Sequence, residues 1–442
     1  AWSRLTDPRR RQEASELQLQ GLALARRLQD AEGLFRSAFS LLLMTPPRHW
    51  GERLRMGEEA AAWPRQSVSA QSLGLGLGLA AVFQLAEGER ARAERLWREI
   101  EELAERTHLV SVELIGPGQN TIQAILDGHL EDALVQLRRY VERCDELGFS
   151  LRGRMLRLNP LHALASYLGR PETWLTACDE FVRMGGFRTA PRAATCLAEL
   201  GRLEEARALI GPMLDEIAAS SADDQASVFE LVNLLEAATA LGHRRAASAL
   251  IARLDCVAHL SMGPAFNTCV ARHLGDAAVL VGERSAARGY YAQALDAAGK
   301  IRFRPELALT HLRLAELLLE ETEEIVHSEA LAHLDTAIPE LRQMHMQPAL
   351  ERAVALSDTH RAPQLSVRSP APDGLTARER EIAGLMADRL SNREIAERLV
   401  ITEGTVEVHV KHILGKLGFN SRRQLTAWVA QPQAGATSAD RA

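Results

Sequence analysis

Cysteine is sparse in this 442-residue chain: five residues (Cys144, Cys178, Cys196, Cys256, Cys269), scattered and without a CxxC pair. Such spacing offers neither a disulfide framework nor a zinc site, and a reducing cytoplasm is the expected home. Aromatic residues make up only 5%, and no long alternating Val/Ile/Thr segment occurs. Sheet formers are therefore short, while Ala, Leu, Arg and Glu abound, and an all-α fold is expected. Long apolar runs are missing too. The longest, Leu73 to Phe83, is too short to span a bilayer and holds three glycines, so no membrane partner and no signal peptide are expected. A surplus of positive charge is also lacking. At a net charge of −6 the chain does not coat nucleic acid along its surface, so any DNA contact has to be local.

Chemistry-bearing motifs are equally scarce. There is no GxxxxGK[ST], HExxH, GxSxG or Cys/His constellation, and enzyme activity is not expected. Gly74, Gly76 and Gly78 form GxGxG, but Leu79 follows and no strand precedes, so the dinucleotide fingerprint fails. No cofactor or metal is expected in this chain. The sequence starts at Ala1 rather than Met, which suggests a piece of something longer.

What is present is a ladder. Gly88, Gly128, Gly201, Gly242 and Gly282 are each followed five residues later by Ala (Ala93, Ala133, Ala206, Ala247, Ala287). Gly169 fits with Trp174 in the alanine's place, and successive glycines are 40, 41, 32, 41 and 40 residues apart. Each glycine suits the left-handed cap that ends one helix, and each small residue suits a close helix approach early in the next. After Ala206 come Leu209, Ile210, Met213, Leu214 and Ile217, an amphipathic stripe at helical spacing. Each unit reads as a helical hairpin, and the array, about residues 15–355, resembles tetratricopeptide-type repeats with a longer period. One hairpin cannot bury its apolar face alone, so the units are expected to stack into a curved solenoid. Residues 1–70 fit the ladder poorly, and the acidic stretch at Glu320–Glu324 falls where a turn belongs.

The pattern stops at Thr359. Residues 359–373 hold Pro363, Pro370 and Pro372 without apolar periodicity and read as a linker between a repeat domain (1–358) and a small C-terminal one (374–430), with a disordered tail at 431–442. Beyond the linker, Thr376-x-x-Glu379, Ser391-x-x-Glu394 and Ser421-x-x-Gln424 are three capping boxes, and Thr402 is a fourth N-cap. They predict helices over 377–388, 392–399, 403–417 and 422–430. The second and third are separated only by Val400–Thr402, a turn tight enough for helix-turn-helix. In the third helix Val406, Val410, Ile413, Leu414 and Leu417 share one face, which is core. Gly404, Val408, Lys411, His412 and Gly415 lie opposite. That face is narrow, with a methyl reader and a donor, as a major groove requires.

The run Leu375-Thr376-x-Arg378-Glu379-x-Glu381, Ser391-Asn392-x-Glu394-Ile395-Ala396, Thr405-Val406-x-x-His409, Lys416-Leu417-Gly418 and Ser421-Arg422 resembles the LuxR-type DNA-binding domain. The resemblance implies that Glu407, Val408 and Lys411 meet base edges of double-stranded DNA. It also implies that Thr405, Lys416, Arg422 and Arg423 meet phosphates, and that the last helix aids homodimerisation on DNA. Departures are Glu407, where the family often has a cation; Arg389, where a glycine is expected; and Ala383 and Gly384, which thin the first helix's core contact. Large LuxR-type regulators of the maltose-activator kind place an ATP-binding switch before such an array; the resemblance implies either the C-terminal portion of such a regulator, with ATP expected only in an N-terminal region outside this sequence, or a shorter class regulated through the repeats alone. The reading is a cytoplasmic transcriptional regulator whose repeats take a small-molecule or protein effector. Its competitor is a repeat scaffold whose terminal module docks protein.

Overall fold

Alanine- and leucine-rich segments separated by single glycines fold as helices broken at the glycines, since glycine alone enters the left-handed region without cost. The computed structural model describes residues 8–36, 46–366 and 377–424, apart from 52–53, 56–57, 60–64, 66–67, 187–188, 221–225, 262, 264–268, 322–323, 389, 400–402, 418 and 420–423. Helix α1 (Pro8–Leu28) precedes a series of hairpins. These are α2 (Ala70–Ala86) with α3 (Arg90–Thr107), then after the single turn α4 (Val110–Glu113), α5 (Gly116–Leu126) with α6 (Leu130–Glu146), and α7 (Ser150–Leu168) with α8 (Pro171–Arg183). Next come α9 (Ala190–Glu199) with α10 (Leu203–Ala219), α11 (Val228–Ala240) with α12 (Arg244–Leu254), and α13 (Val270–Val281) with α14 (Arg284–Lys300). The series ends with α15 (Arg304–Leu319), α16 (Glu324–Gln343) and α17 (Gln347–Ser366). Among the described residues there is no strand, only an isolated bridge between Ser261 and Cys269. None of the described helices is long and apolar enough to cross a membrane.

All six ladder glycines have positive φ, from +68° at Gly169 to +89° at Gly282. The residue after each donates its N–H five residues back, as in Arg170 N to Ala165 O (2.7 Å) and His243 N to Ala238 O (2.8 Å). This is the Schellman closure of a helix end. Five residues beyond each glycine, Ala93, Ala133, Trp174, Ala206, Ala247 and Ala287 are wholly buried. Some turns between hairpins reach the left-handed region with non-glycine residues: His108, Arg302 and His345 carry φ of +51°, +51° and +57°, and Phe303 N and Met346 N close back on Ala298 O and Leu341 O (both 2.9 Å).

The stack does more than curve. Arg90 Nη1 donates to Ile301 O (3.0 Å), Arg304 Nη1 to Asp127 O (2.9 Å) and Tyr167 Oη to Glu306 Oε1 (2.7 Å). Early hairpins therefore touch late ones directly, against the neighbour-only contacts of an open solenoid. Glycine explains how. A Cβ on Gly128 would lie 2.7 Å from Met344 Sδ, and one on Gly169 only 2.3 Å from Pro348 Cγ. Those two turns need glycine twice, for φ and for the approach of the late hairpins. The GxGxG stretch has a packing role of the same kind inside α2, where Phe35 and Val112 fill the space beside Gly76 and Gly74.

The first helix of each hairpin is enclosed on most sides and carries buried polar groups in a similar register: Gln119 on α5, His162 on α7, Arg192 on α9, Asn233 on α11 and Arg272 with His273 on α13. Arg192 ties three of these helices together, donating from Nη1 to Asn159 Oδ1 (2.6 Å) and from Nε to Asn233 Oδ1 (3.1 Å). The chain divides into two compact units, Ala1–Ser357 and Asp358–Ala442. Helix α17 runs on to Ser366, so the expectation of a structureless segment from Thr359 is corrected. Ala362, Gln364 and Leu365 favour helix, and Pro363 comes so late that its lost i→i−4 hydrogen bond and its ring disturb only the final turn.

Candidate nucleic-acid interface

The C-terminal unit is built from α18 (Ala377–Ala387), α19 (Asn392–Leu399) and α20 (Glu403–Leu417), close to the boundaries expected from the caps. The fourth expected helix, 422–430, lies outside the described residues except for Gln424. The cap at Thr402 and the exchange at Arg389 also fall outside them. At the start of α19 the capping box forms reciprocally. Ser391 N donates to Glu394 Oε2 (2.7 Å), and Glu394 N donates to Ser391 Oγ (3.3 Å). The Ser391 backbone N–H, then its hydroxyl, hold the Glu394 carboxyl below the usual range.

A core of its own fixes α20. Ile382, Ala383 and Met386 of α18, Ile395 and Ala396 of α19, and Val406 and Ile413 of α20 are buried together. Val410, Leu414 and Leu417 pack against them partly buried, so the face expected as core is core. Glu407, Lys411, Gly415 and Lys416 are exposed. Among the described residues neither Glu407 nor Lys411 is engaged in a hydrogen bond or ion pair, although they are one turn apart. Thr405 and Val408 lie in α20 with side chains outside the described set, and Arg422 and Arg423 lie outside it altogether.

Lys416 has a job inside the fold. Its Nζ donates to Glu379 Oε2 at 2.7 Å, clamping α20 to α18. Glu379 is buried, so this pair is an ionic tie between the two helices. The sequence placed Glu379 in a capping box with Thr376, which lies outside the described residues; the structure in addition brings its carboxylate to Lys416. The signal was present in the spacing of an acidic residue on the core side of α18. Gly384 also differs from expectation. A Cβ there would meet nothing within 4 Å, so glycine thins no core contact. Gly384→Ala is expected to stabilise this unit by about 0.5–1 kcal/mol, because alanine loses less backbone entropy on folding. A thermal melt of the variant with no rise in midpoint, or a fall, would contradict that placement.

Residues 373–429 match the family model for bacterial regulatory proteins of the luxR family. The nitrate/nitrite response regulator protein NarL of Escherichia coli (strain K12) is 54% identical over 57 residues, 13% of this chain and 26% of that protein. The transcriptional regulatory protein LnrK of Bacillus subtilis (strain 168) is 50% identical over 50 residues, 11% of this chain and 23% of that protein. The putative HTH-type transcriptional regulator Rv0890c of Mycobacterium tuberculosis (strain ATCC 25618 / H37Rv) is 45% identical over 51 residues, 12% of this chain and 6% of that protein. The chain thus spans about a quarter of the first and second of these relatives and far less of the third. Its C-terminal unit carries a LuxR-family helix-turn-helix domain over residues 373–429.

Proposed function

We propose that this chain is a sequence-specific DNA-binding transcriptional regulator of the cytoplasm, with the helical array as its effector-sensing region. The observation that carries the reading is that Glu407 and Lys411 stand exposed on α20, without a hydrogen bond or ion pair among the described residues, above the core of a LuxR-family domain. In this reading Lys411 donates to guanine or phosphate, Val408 meets a thymine methyl, and Glu407 accepts from a cytosine amino group. Thr405, Arg422 and Arg423 contact phosphates, and Lys416 reaches one only with the donors left over from Glu379. Arg and Lys are nearly matched by Asp and Glu across 371–430, so a single copy binds weakly. Two copies on half-sites about 34–36 Å apart supply the affinity. The names of the relatives, a response regulator and transcriptional regulators, support the class.

The test is selection of bound sequences from a random duplex pool with the full chain, followed by mobility-shift titration. Expected is a two-fold-related motif bound at least about 10³-fold more tightly than scrambled duplex. Binding that shows no sequence preference, or no binding at all, would favour the protein-docking scaffold instead.

A further inference from the structure

Two histidines face each other inside the α15–α16 hairpin. His311 Nδ1 and His333 Nδ1 are 2.8 Å apart and the ring centroids 5.0 Å apart, so the imidazoles meet nearly head-on. At that separation one hydrogen lies between the two nitrogens, and one ring donates while the other accepts. Both rings are half-buried, and neither has another hydrogen bond among the described residues. The far nitrogen of His333, Nε2, lies 4.0 Å from Glu329 Oε1 on the same helix. Glu329 is itself held by Arg288 of α14, at 2.8 Å to each carboxylate oxygen. Among the described residues these are the charges that bear on the pair. Glu329 favours a proton on His333, Arg288 opposes it, and His311 feels only His333.

The contact tolerates one added proton and not two. With both rings neutral, or with His333 charged beside Glu329, a hydrogen still joins the two Nδ1 atoms. When His311 is protonated as well, each Nδ1 carries its own hydrogen, no acceptor is left, and two cations stand face to face. We propose that the His311–His333 pair is a proton-operated clasp, which holds α16 on α15 while the rings share a hydrogen and releases it when both are charged. Burial, then the neighbouring His333, push His311 down to about 4, and burial also lowers His333. Histidines kept neutral by the fold contribute stability that is complete above their ordinary value of 6.5 and is lost as pH falls toward 4. The hairpin so held is the one that closes on the early repeats. Arg304 at the head of α15 donates to Glu340 of α16 (2.8 Å) and to the Asp127 carbonyl (2.9 Å), and Met344, just past α16, packs on Gly128. Loosening α16 therefore loosens the closure of late hairpins on early ones.

The experiment is a pH titration of the full 442-residue chain from pH 7.5 to pH 4, with two readouts. Nuclear magnetic resonance of histidine-labelled protein follows each ring, and hydrogen exchange read by mass spectrometry follows each helix. Expected is a His311 midpoint near 4, with exchange in α16 and in the turn at 127–129 faster at pH 4.5 than at pH 7 by about tenfold or more, after correction for the intrinsic rate. His333→Gln and His311→Gln are the variants. A glutamine amide turns over to donate or to accept, so it meets the remaining histidine in either protonation state. In both variants the acid-induced rise in α16 exchange is expected to disappear. A His311 midpoint near 6.5 overturns the clasp. So does a rise that persists in both glutamine variants, or one spread evenly over the whole array, which is general acid unfolding.

Discussion

Arg272→Ala is expected to destabilise the helical array by about 3–5 kcal/mol, among the largest losses available to a single substitution. Arg272 clamps Glu306 with two hydrogen bonds, from Nε at 2.5 Å and Nη2 at 3.2 Å, and Glu306 is wholly buried. Removing the guanidinium leaves that carboxylate with Tyr167 as its remaining side-chain donor among the described residues. The penalty is the stranded charge rather than the worth of the pair. Accordingly Arg272→Met combined with Glu306→Leu should recover much of the loss, since neither charge is then buried alone. Tyr167→Phe removes one hydrogen bond from the same carboxylate and should cost roughly 1–2 kcal/mol. Urea melts followed by circular dichroism measure all three. A single Arg272→Ala variant within 1 kcal/mol of the parent would mean that Glu306 takes up a proton or reaches water, and that this contact does not hold α7, α13 and α15 together.

The ladder was legible because its signals are local. A glycine that must adopt positive φ, and a small residue five positions on, are both visible in the sequence, and Gly88 through Gly282 with Ala93 through Ala287 stand where the spacing put them. Non-glycine turns were not legible. His108, Arg302 and His345 reach the same left-handed region with side chains that give no warning, because tertiary packing outweighs a local preference of only about 1–2 kcal/mol. The direct contacts of early with late hairpins were invisible as well. Arg90 meets Ile301 across 211 positions, and no periodicity encodes so distant a pairing.

The C-terminal unit followed the same division. Caps and apolar spacing set α18, α19 and α20, and the core face of α20 was read correctly from 3.6-residue periodicity. What spacing could not show is where Lys416 spends its charge. An exposed lysine at the end of a recognition helix looks like a phosphate contact, yet its partner at 2.7 Å is a buried carboxylate on another helix.

That distinction separates three substitutions on one helix. Val408→Ala should weaken the preferred duplex by about 1 kcal/mol or more while leaving non-specific binding intact, if a thymine methyl is its partner. Lys411→Ala should cost roughly 1–3 kcal/mol, about ten- to a hundredfold in affinity, if it reads guanine. If it meets a phosphate, the loss is uniform across sequences and the salt dependence becomes shallower by about one counterion. Neither change should move the thermal midpoint, because Lys411 is exposed and has no hydrogen bond or ion pair among the described residues, and helical spacing sets position 408 opposite the core positions. Lys416→Ala should behave differently. It removes a cation from buried Glu379, and the half-exposed lysine limits the effect to about 1–2 kcal/mol of domain stability. Its DNA affinity should fall chiefly in step with unfolding, and should recover when Glu379→Gln is added to remove the charge that Lys416 balanced. The measurements are titrations of full-length variants against cognate and scrambled duplexes at two salt concentrations, each paired with a thermal melt. Wild-type affinity in both Val408→Ala and Lys411→Ala would remove α20 as the reader. An unchanged melt in Lys416→Ala would return that lysine to the phosphate backbone.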